Sequence, residues 1–309
     1  MSQIPPNTLP GPPASRQLGP GGPAFAPIAW GMWRIAEGGR SVADAALLVH
    51  AALDAGITLF DTADIYGFDG KHGFGDAEAL LGEVFATEPG LRGRIVLSTK
   101  GGIMPPLPYD ESAEYLAAAI DASLRRLRCE RVELWHIHRP DLLTHPQEVA
   151  RALDDAVRSG KIDALGVSNF TLQQTAALQH FLEHKLVAVQ PEISPLCITA
   201  IEDGTLDQAM MLGLVPLAWS PLGGGRLADP QSARAKAVAA ELDRVGAEQG
   251  VSRSIAAYSW LMAHPAGIVP IIGSQQAARI AEGAAALNVR WNRQDWYAVL
   301  VAARGAPMP

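Results

Sequence analysis

Eight short apolar runs, most of them followed by a longer stretch with helical periodicity, succeed one another from Ala26 onward. The runs occupy residues 28–31, 58–61, 95–99, 132–137, 164–167, 187–190, 215–219 and 268–272. A strand buried on both faces reads as a continuous apolar run, and its parallel neighbour is reached through a crossover, usually a helix. Repeated βα units therefore predict a parallel α/β sheet, and eight of them predict closure into a (β/α)8 TIM barrel. The helical stretches cover 42–55, 76–86, 111–126, 147–159, 172–184, 205–212, 234–249 and 252–264. Gly56 and Gly160 stand where a left-handed residue closes a helix, and Ser41 and Thr171 stand where a hydroxyl caps free amides. Such a barrel takes about 250 residues. The 309 residues, 48% hydrophobic, are thus expected to form one domain over 15–309, after a disordered Pro-rich tail over 1–14.

The formal net charge is -7, and no run of Lys and Arg suits a nucleic-acid partner. No stretch reaches the roughly 18 apolar residues of a membrane span, and no basic segment followed by an apolar core opens the chain, so a cytoplasmic protein without a membrane partner is expected. Cys129 and Cys197 lie in different predicted elements and match neither a disulfide framework nor a zinc site, so no metal is expected.

Barrel chemistry sits at the C-terminal ends of the strands, where variable loops are held by a packed scaffold. Those ends carry Gly31, Asp61, Lys100, His138, Ser168, Asn169, Gln190, Trp219, Ser220, Gly273 and Ser274, a polar ring. Period-two alternation places Val132, Leu134, His136 and His138 on one face, so two histidines project into the barrel. A glycosidase would need two carboxylates at strand ends; only Asp61 fits well, with Glu192 a distant second.

The segments FDTADIYG, LSTKGG, HIHRPD, GVSNF, VQPEISP, WSPLGGGRL and PIIGSQQAARIAEG, in this order and spacing, resemble the aldo-keto reductase superfamily over nearly everything after residue 16. The likeness is greatest to its bacterial short-loop branch. It implies an NADP-dependent oxidoreductase that reduces a small aldehyde or ketone to the alcohol by hydride transfer from the nicotinamide. Tyr66 would be the proton donor, Lys100 would lower its pKa from near 10, Asp61 would fix Lys100, and His138 would orient the carbonyl oxygen.

No Gly-x-Gly-x-x-Gly segment opens a helix after a strand. By resemblance, Ser168, Asn169 and Gln190 would hold the nicotinamide carboxamide and Trp219 would stack on its ring. Ser220, Pro221, Leu222, Gly223, Gly225 and Arg226 would wrap the pyrophosphate. Ser274, Arg279 and Glu282 would receive the adenosine, Arg279 on the 2′-phosphate, and Gly31, Met32, Trp33, Asp61 and Gly273 would complete the set. Gly273 replaces a frequent Lys and Gly283 a frequent Asn of the family, so NADP(H) is expected with NAD(H) still open. Trp33, Tyr66 and residues 191–195 would line the substrate pocket, and the short segment after Trp296 suggests an open pocket with a broad carbonyl range. His136, where relatives usually carry an apolar residue, reads as a buried structural partner of the upper barrel layer or of the neighbourhood of Lys100. The Gly-containing segment 68–75 is expected to be a mobile cover for the substrate. The same resemblance leaves open a non-catalytic NADP(H)-binding sensor or regulatory subunit of this fold.

Overall fold

In the computed structural model, which describes residues 7–309, eight parallel strands close into a barrel. They are β1 (Ala29–Gly31), β2 (Leu59–Asp61), β3 (Val96–Gly101), β4 (Leu134–Ile137), β5 (Leu165–Ser168), β6 (Leu186–Gln190), β7 (Val215–Ala218) and β8 (Val269–Ile272), with β8 pairing back onto β1. The expected barrel is met strand for strand, with ends displaced by one or two residues.

Helices α1 (Val42–Asp54), α2 (Asp76–Thr87), α3 (Ala113–Leu127), α4 (Pro146–Arg158) and α5 (Leu172–Phe181) follow the first five strands. After β6 come a single turn, α6 (Thr199–Glu202), and α7 (Thr205–Leu212); after β7 come α8 (Ala233–Gln249) and α9 (Arg253–Met262). The Ser41 hydroxyl accepts from the Asp44 amide, Thr171 forms a capping box with Gln174, and Gly56 and Gly160 adopt φ of +78° and +73°. Helix α3 starts two residues later than its periodicity suggests, because Ser112 rather than an earlier residue caps it. Helix α5 stops at Phe181, because the Glu183 and His184 amides donate instead to buried Asp154, at 3.0 and 3.1 Å.

Three features were not anticipated. A two-stranded hairpin, Arg16–Gln17 with Ala24–Phe25, precedes β1. Its Leu18 and Phe25 are buried with Ala29, Leu59, Val96, Leu134, Ala188, Val215, Leu217, Val269 and Ile271 of the barrel interior. Burial of each such side chain is worth about 1.5–3 kcal/mol, so the hairpin caps the interior core as well as covering it. Helices α10 (Ala277–Gly283) and α11 (Arg293–Arg304) follow β8. Trp260 of α9 and Trp296 of α11 stack at 5.0 Å, each indole N–H donating to the other's backbone carbonyl at 3.0 Å. Of the expected disordered tail, residues 1–6 lie outside the described residues, while Leu9 donates its amide to Trp291 and Asn7 accepts from the Arg293 amide.

The loops after β3 and β4, which flank the mouth of the barrel, are joined by two acids. The Asp141 amide donates to Glu111 Oε1 at 2.8 Å, and the Glu111 amide donates to Asp141 Oδ2 at 3.3 Å. Burial pushes the Glu111 carboxyl up to about 8, against the pull of the Asp141 amide and with the help of the Asp141 charge. The ordinary value is 4.5, so between it and about 8 the folded protein binds more protons than the unfolded chain. Its stability is therefore fullest below that window and declines as pH rises through it. Thermal melts at about pH 5 and about pH 8 should show a loss for the wild type that Glu111→Gln, which keeps the acceptor but cannot ionise, largely lacks. Equal losses would contradict this assignment.

Candidate active site

Strand register assembles the site. Asp61 lies beside Ser98, and Lys100 beside His136, in the neighbouring-strand pairings. Leu59, Val96 and Leu134 fill the interior two residues below Asp61, Ser98 and His136, so period two points these polar side chains inward above an apolar floor. Tyr66 comes from the turn after β2, closed by its own amide on the Ala63 carbonyl and anchored by the Ala77 amide of α2 on the Tyr66 carbonyl.

Lys100 has no exposed surface (0%). Its ammonium donates to Asp61 Oδ2 at 2.6 Å, to the Thr62 carbonyl at 2.7 Å and to the Tyr66 hydroxyl at 3.2 Å, which uses all three N–H groups. Asp61 Oδ1 accepts from Gln190 Nε2 at 2.9 Å and from Ser98 Oγ at 3.2 Å. The Tyr66 and His138 rings meet edge to face with centroids 5.8 Å apart. Asp61, Tyr66, Lys100 and His138 are thus brought to one place.

Burial opposes the charge on Lys100, yet Asp61 and Tyr66 outweigh it and hold the lysine above its ordinary range. For Tyr66, burial pushes the phenol up and Lys100 pulls it down; burial and the Asp61 charge prevail, leaving it above 10.0. Lys100 does pull Tyr66 down, as expected, but burial outweighs that pull and the net direction is upward. His138 is held well below the ordinary imidazole value by burial and by Lys100, Arg139 and His136, so its ring is neutral at neutral pH.

The residues expected to meet a cofactor form two groups. On one side, Ser168 Oγ donates to the Gln190 carbonyl at 2.8 Å, and Asn169, at φ +60°, donates to the His138 carbonyl at 3.1 Å and to Ser168 Oγ at 3.0 Å. The Trp219 indole donates to Asn169 Oδ1 at 3.0 Å. Beyond it, Ser220, Gly223, Gly224 and Gly225 all have positive φ, and Arg226 Nε donates back to the Gly223 carbonyl, so the segment with Pro221 and Leu222 is a tight turn. On the other side, three bonds tie the loop after β8 to the end of β1: Trp30 Nε1 to the Ser274 carbonyl, Gln275 Nε2 to the Gly31 carbonyl, and Arg34 to the Gly273 carbonyl. Met32 is buried and Trp33 exposed beside them.

Arg279 is exposed on α10, whereas Glu282 accepts from Ser252 Oγ of the loop before α9 at 2.8 Å. Gly283 has a steric reason, since a Cβ there would lie 2.2 Å from Ile272 Cδ1. Segment 68–75 is folded on itself: Asp69 Oδ1 accepts from the Lys71 and His72 amides, and the Arg126 guanidinium lies 5.8 Å from the Phe74 ring. Cys197 sits in a tight turn with Ser194, and burial pushes its thiol up, away from nucleophilic use. Ser98 and Thr62 join the site without a motif that marks them, although Ser98 stands two residues before Lys100 on the same strand face.

The family model for the aldo/keto reductase family matches residues 27–300. A 6-dehydroglucose reductase of Novosphingobium aromaticivorans is 74% identical over 301 residues, covering 97% of this chain and 99% of the relative. A second 6-dehydroglucose reductase, from Agrobacterium fabrum, is 40% identical over 90% of this chain and 94% of the relative. An aldo/keto reductase from Klebsiella pneumoniae, whose crystal structure contains NADP and acetate, shares the fold with a TM-score of 0.75 at 24% identity, over 93% of each chain.

Breaking a buried ion pair from one side strands the other charge at a cost of about 3–5 kcal/mol. Lys100→Met should therefore lose about that much stability in chemical denaturation, and adding Asp61→Asn should return most of it. A Lys100→Met protein as stable as the wild type would contradict the pairing.

Proposed function

The chain belongs to the aldo/keto reductase family, and from that premise we propose that it reduces the aldehyde of an oxidised sugar of the 6-dehydroglucose type to the alcohol, with NADPH as reductant. The observation that carries the chemistry is the Tyr66 hydroxyl held 3.2 Å from a fully buried ammonium that Asp61 fixes in place. The two relatives named as 6-dehydroglucose reductases support the substrate class.

The residues present fit a nicotinamide dinucleotide. Thr62 Oγ1 and His138 Nδ1 are buried polar atoms without a partner among the described residues, beside the same ion pair. Gln190 uses its Nε2 on Asp61, which leaves its carbonyl oxygen, with Ser168 and Asn169, for a carboxamide. Trp219 offers an aromatic face, and the turn after it, left-handed at Ser220, Gly223, Gly224 and Gly225, is rich in glycine amides of the kind that bind pyrophosphate. Arg279, an exposed guanidinium, suits a 2′-phosphate. Bound there, a reduced nicotinamide would supply the hydride.

The protein supplies the proton and its control. Tyr66, held above its ordinary value, keeps its hydrogen until negative charge develops on the carbonyl oxygen. It then donates that hydrogen, and the Lys100 ammonium stabilises the phenolate that remains. Asp61 and the Thr62 carbonyl keep Lys100 aimed at Tyr66. His138, neutral, acts as a hydrogen-bond donor that orients the substrate oxygen rather than as a competing acid.

NADPH oxidation with 6-dehydroglucose should be readily measured for the wild type and fall by about 10²-fold or more in Tyr66→Phe, with NADPH affinity in fluorescence titration unchanged. Tight NADPH binding without turnover in the wild type would instead mark a sensor. Arg279→Met should weaken NADPH binding by about tenfold and leave NADH binding unaltered. Equal weakening of both would remove Arg279 from the 2′-phosphate.

A further inference from the structure

Beside the ion pair, in the same polar row of the barrel, lie two further polar side chains, Ser98 and His136. Ser98 Oγ is 3.2 Å from Asp61 Oδ1 and 3.3 Å from His136 Nδ1, and all three side chains are buried. His136 sits between Lys100 on one neighbouring strand and Gly166 on the other. A Cβ at residue 166 would lie 2.6 Å from His136 Nε2 and 2.5 Å from its Cδ2, so the absence of a side chain there is what admits the ring. His136 Nε2 has no hydrogen-bond partner among the described residues.

These contacts determine where the single Ser98 hydrogen goes. A neutral imidazole carries one N–H and one bare nitrogen. Burial and the nearby Lys100 charge hold His136 well below the ordinary imidazole value, so the ring is neutral. An N–H at Nε2 would be buried without an acceptor against the Gly166 backbone, and orphaned buried donors are rarer and costlier than under-used acceptors. The hydrogen therefore belongs on Nδ1, where it meets Ser98 Oγ. Ser98 then has no acceptor in the ring and directs its own hydrogen to Asp61. Two donors, from Ser98 and Gln190, occupy Asp61 Oδ1 and leave Oδ2 to Lys100.

We propose that His136 is a positioning residue for carbonyl reduction, which in its Nδ1–H form turns the Ser98 hydroxyl onto Asp61 and so orients the carboxylate that aims Lys100 at Tyr66. The proposal rests on the reading of Tyr66 as proton donor and touches neither substrate nor cofactor. Its effect thus falls on kcat rather than on KM.

Two measurements on the full chain test it. In long-range ¹H–¹⁵N spectra of protein labelled with ¹⁵N-histidine, with His136 assigned by the signal lost in His136→Asn, Nδ1 should be protonated and Nε2 bare. In steady-state kinetics, Ser98→Ala and His136→Leu should each lower kcat by about fivefold, the effect of one hydrogen bond, with KM unchanged. The double variant should be no slower than either single one, because both remove the same link. His136→Asn, whose amide nitrogen stands near the position of Nδ1, should restore most of the loss. A proton on Nε2, multiplicative losses in the double variant, or an Asn variant as slow as the Leu variant would each overturn the proposal. Should His136→Leu fail to fold, the wild-type tautomer still decides it, with an Asn variant as slow as Ser98→Ala overturning the proposal. Full turnover in Tyr66→Phe would defeat the parent reading instead, and the spectrum would still report the tautomer.

Discussion

A lysine with no exposed surface lies at the centre of this barrel, and the arrangement around it follows from the need to keep that charge solvated by protein. Water is excluded, so Asp61, the Thr62 carbonyl and the Tyr66 hydroxyl take its place. Replacing a buried ion pair by apolar groups is often neutral or stabilising, so the pair is weak evidence of a contribution to stability. Its placement against a phenol in a polar ring of strand ends is what the proposed chemistry draws on. Removal of either partner, by contrast, exposes the full desolvation cost of the other.

The same burial determines how the site divides its work. It raises Tyr66 and lowers His138, while Lys100 opposes the first shift and reinforces the second. In the proposed reduction, a phenol kept protonated and an imidazole kept neutral would take distinct roles, one losing a proton and the other lending an N–H. The scaffold makes this possible by separating layers. An apolar floor, closed from below by Leu18 and Phe25 of the hairpin, carries a polar row above it, and strand register alone carries Ser98, Lys100 and His136 into that row.

Much of this was legible in the chain. The strands are buried on both faces and so stand out as unbroken apolar runs, and the glycines and hydroxyl residues at helix ends mark their own conformations. The polar ends of the strands indicated Asp61, Lys100 and His138 by the same pattern. Other features were hidden for physical reasons. The hairpin strands are only two residues long, too short for any periodicity to register. Helix α5 ended early through a contact with Asp154, far away in sequence. Residues 7–9 belong to the fold because they pair with residues 291–293, a partner no local composition reveals. The direction of the Tyr66 shift depends on weighing burial against one nearby charge, which requires coordinates. His136 was visible as an inward-facing histidine, but its link to Asp61 depends on Ser98 and on the lack of a side chain at Gly166.

The central claim is that the buried Asp61–Lys100 pair holds Tyr66 as a protonated donor whose conjugate base it stabilises. The most direct test is to follow the ¹³Cζ resonance of Tyr66 through a pH titration of the wild type and of Lys100→Met. The account predicts a protonated phenol throughout the neutral range, titrating above the ordinary tyrosine value, and a further upward displacement when the ammonium is removed. A phenolate at neutral pH, or a titration unmoved by the loss of Lys100, would contradict it.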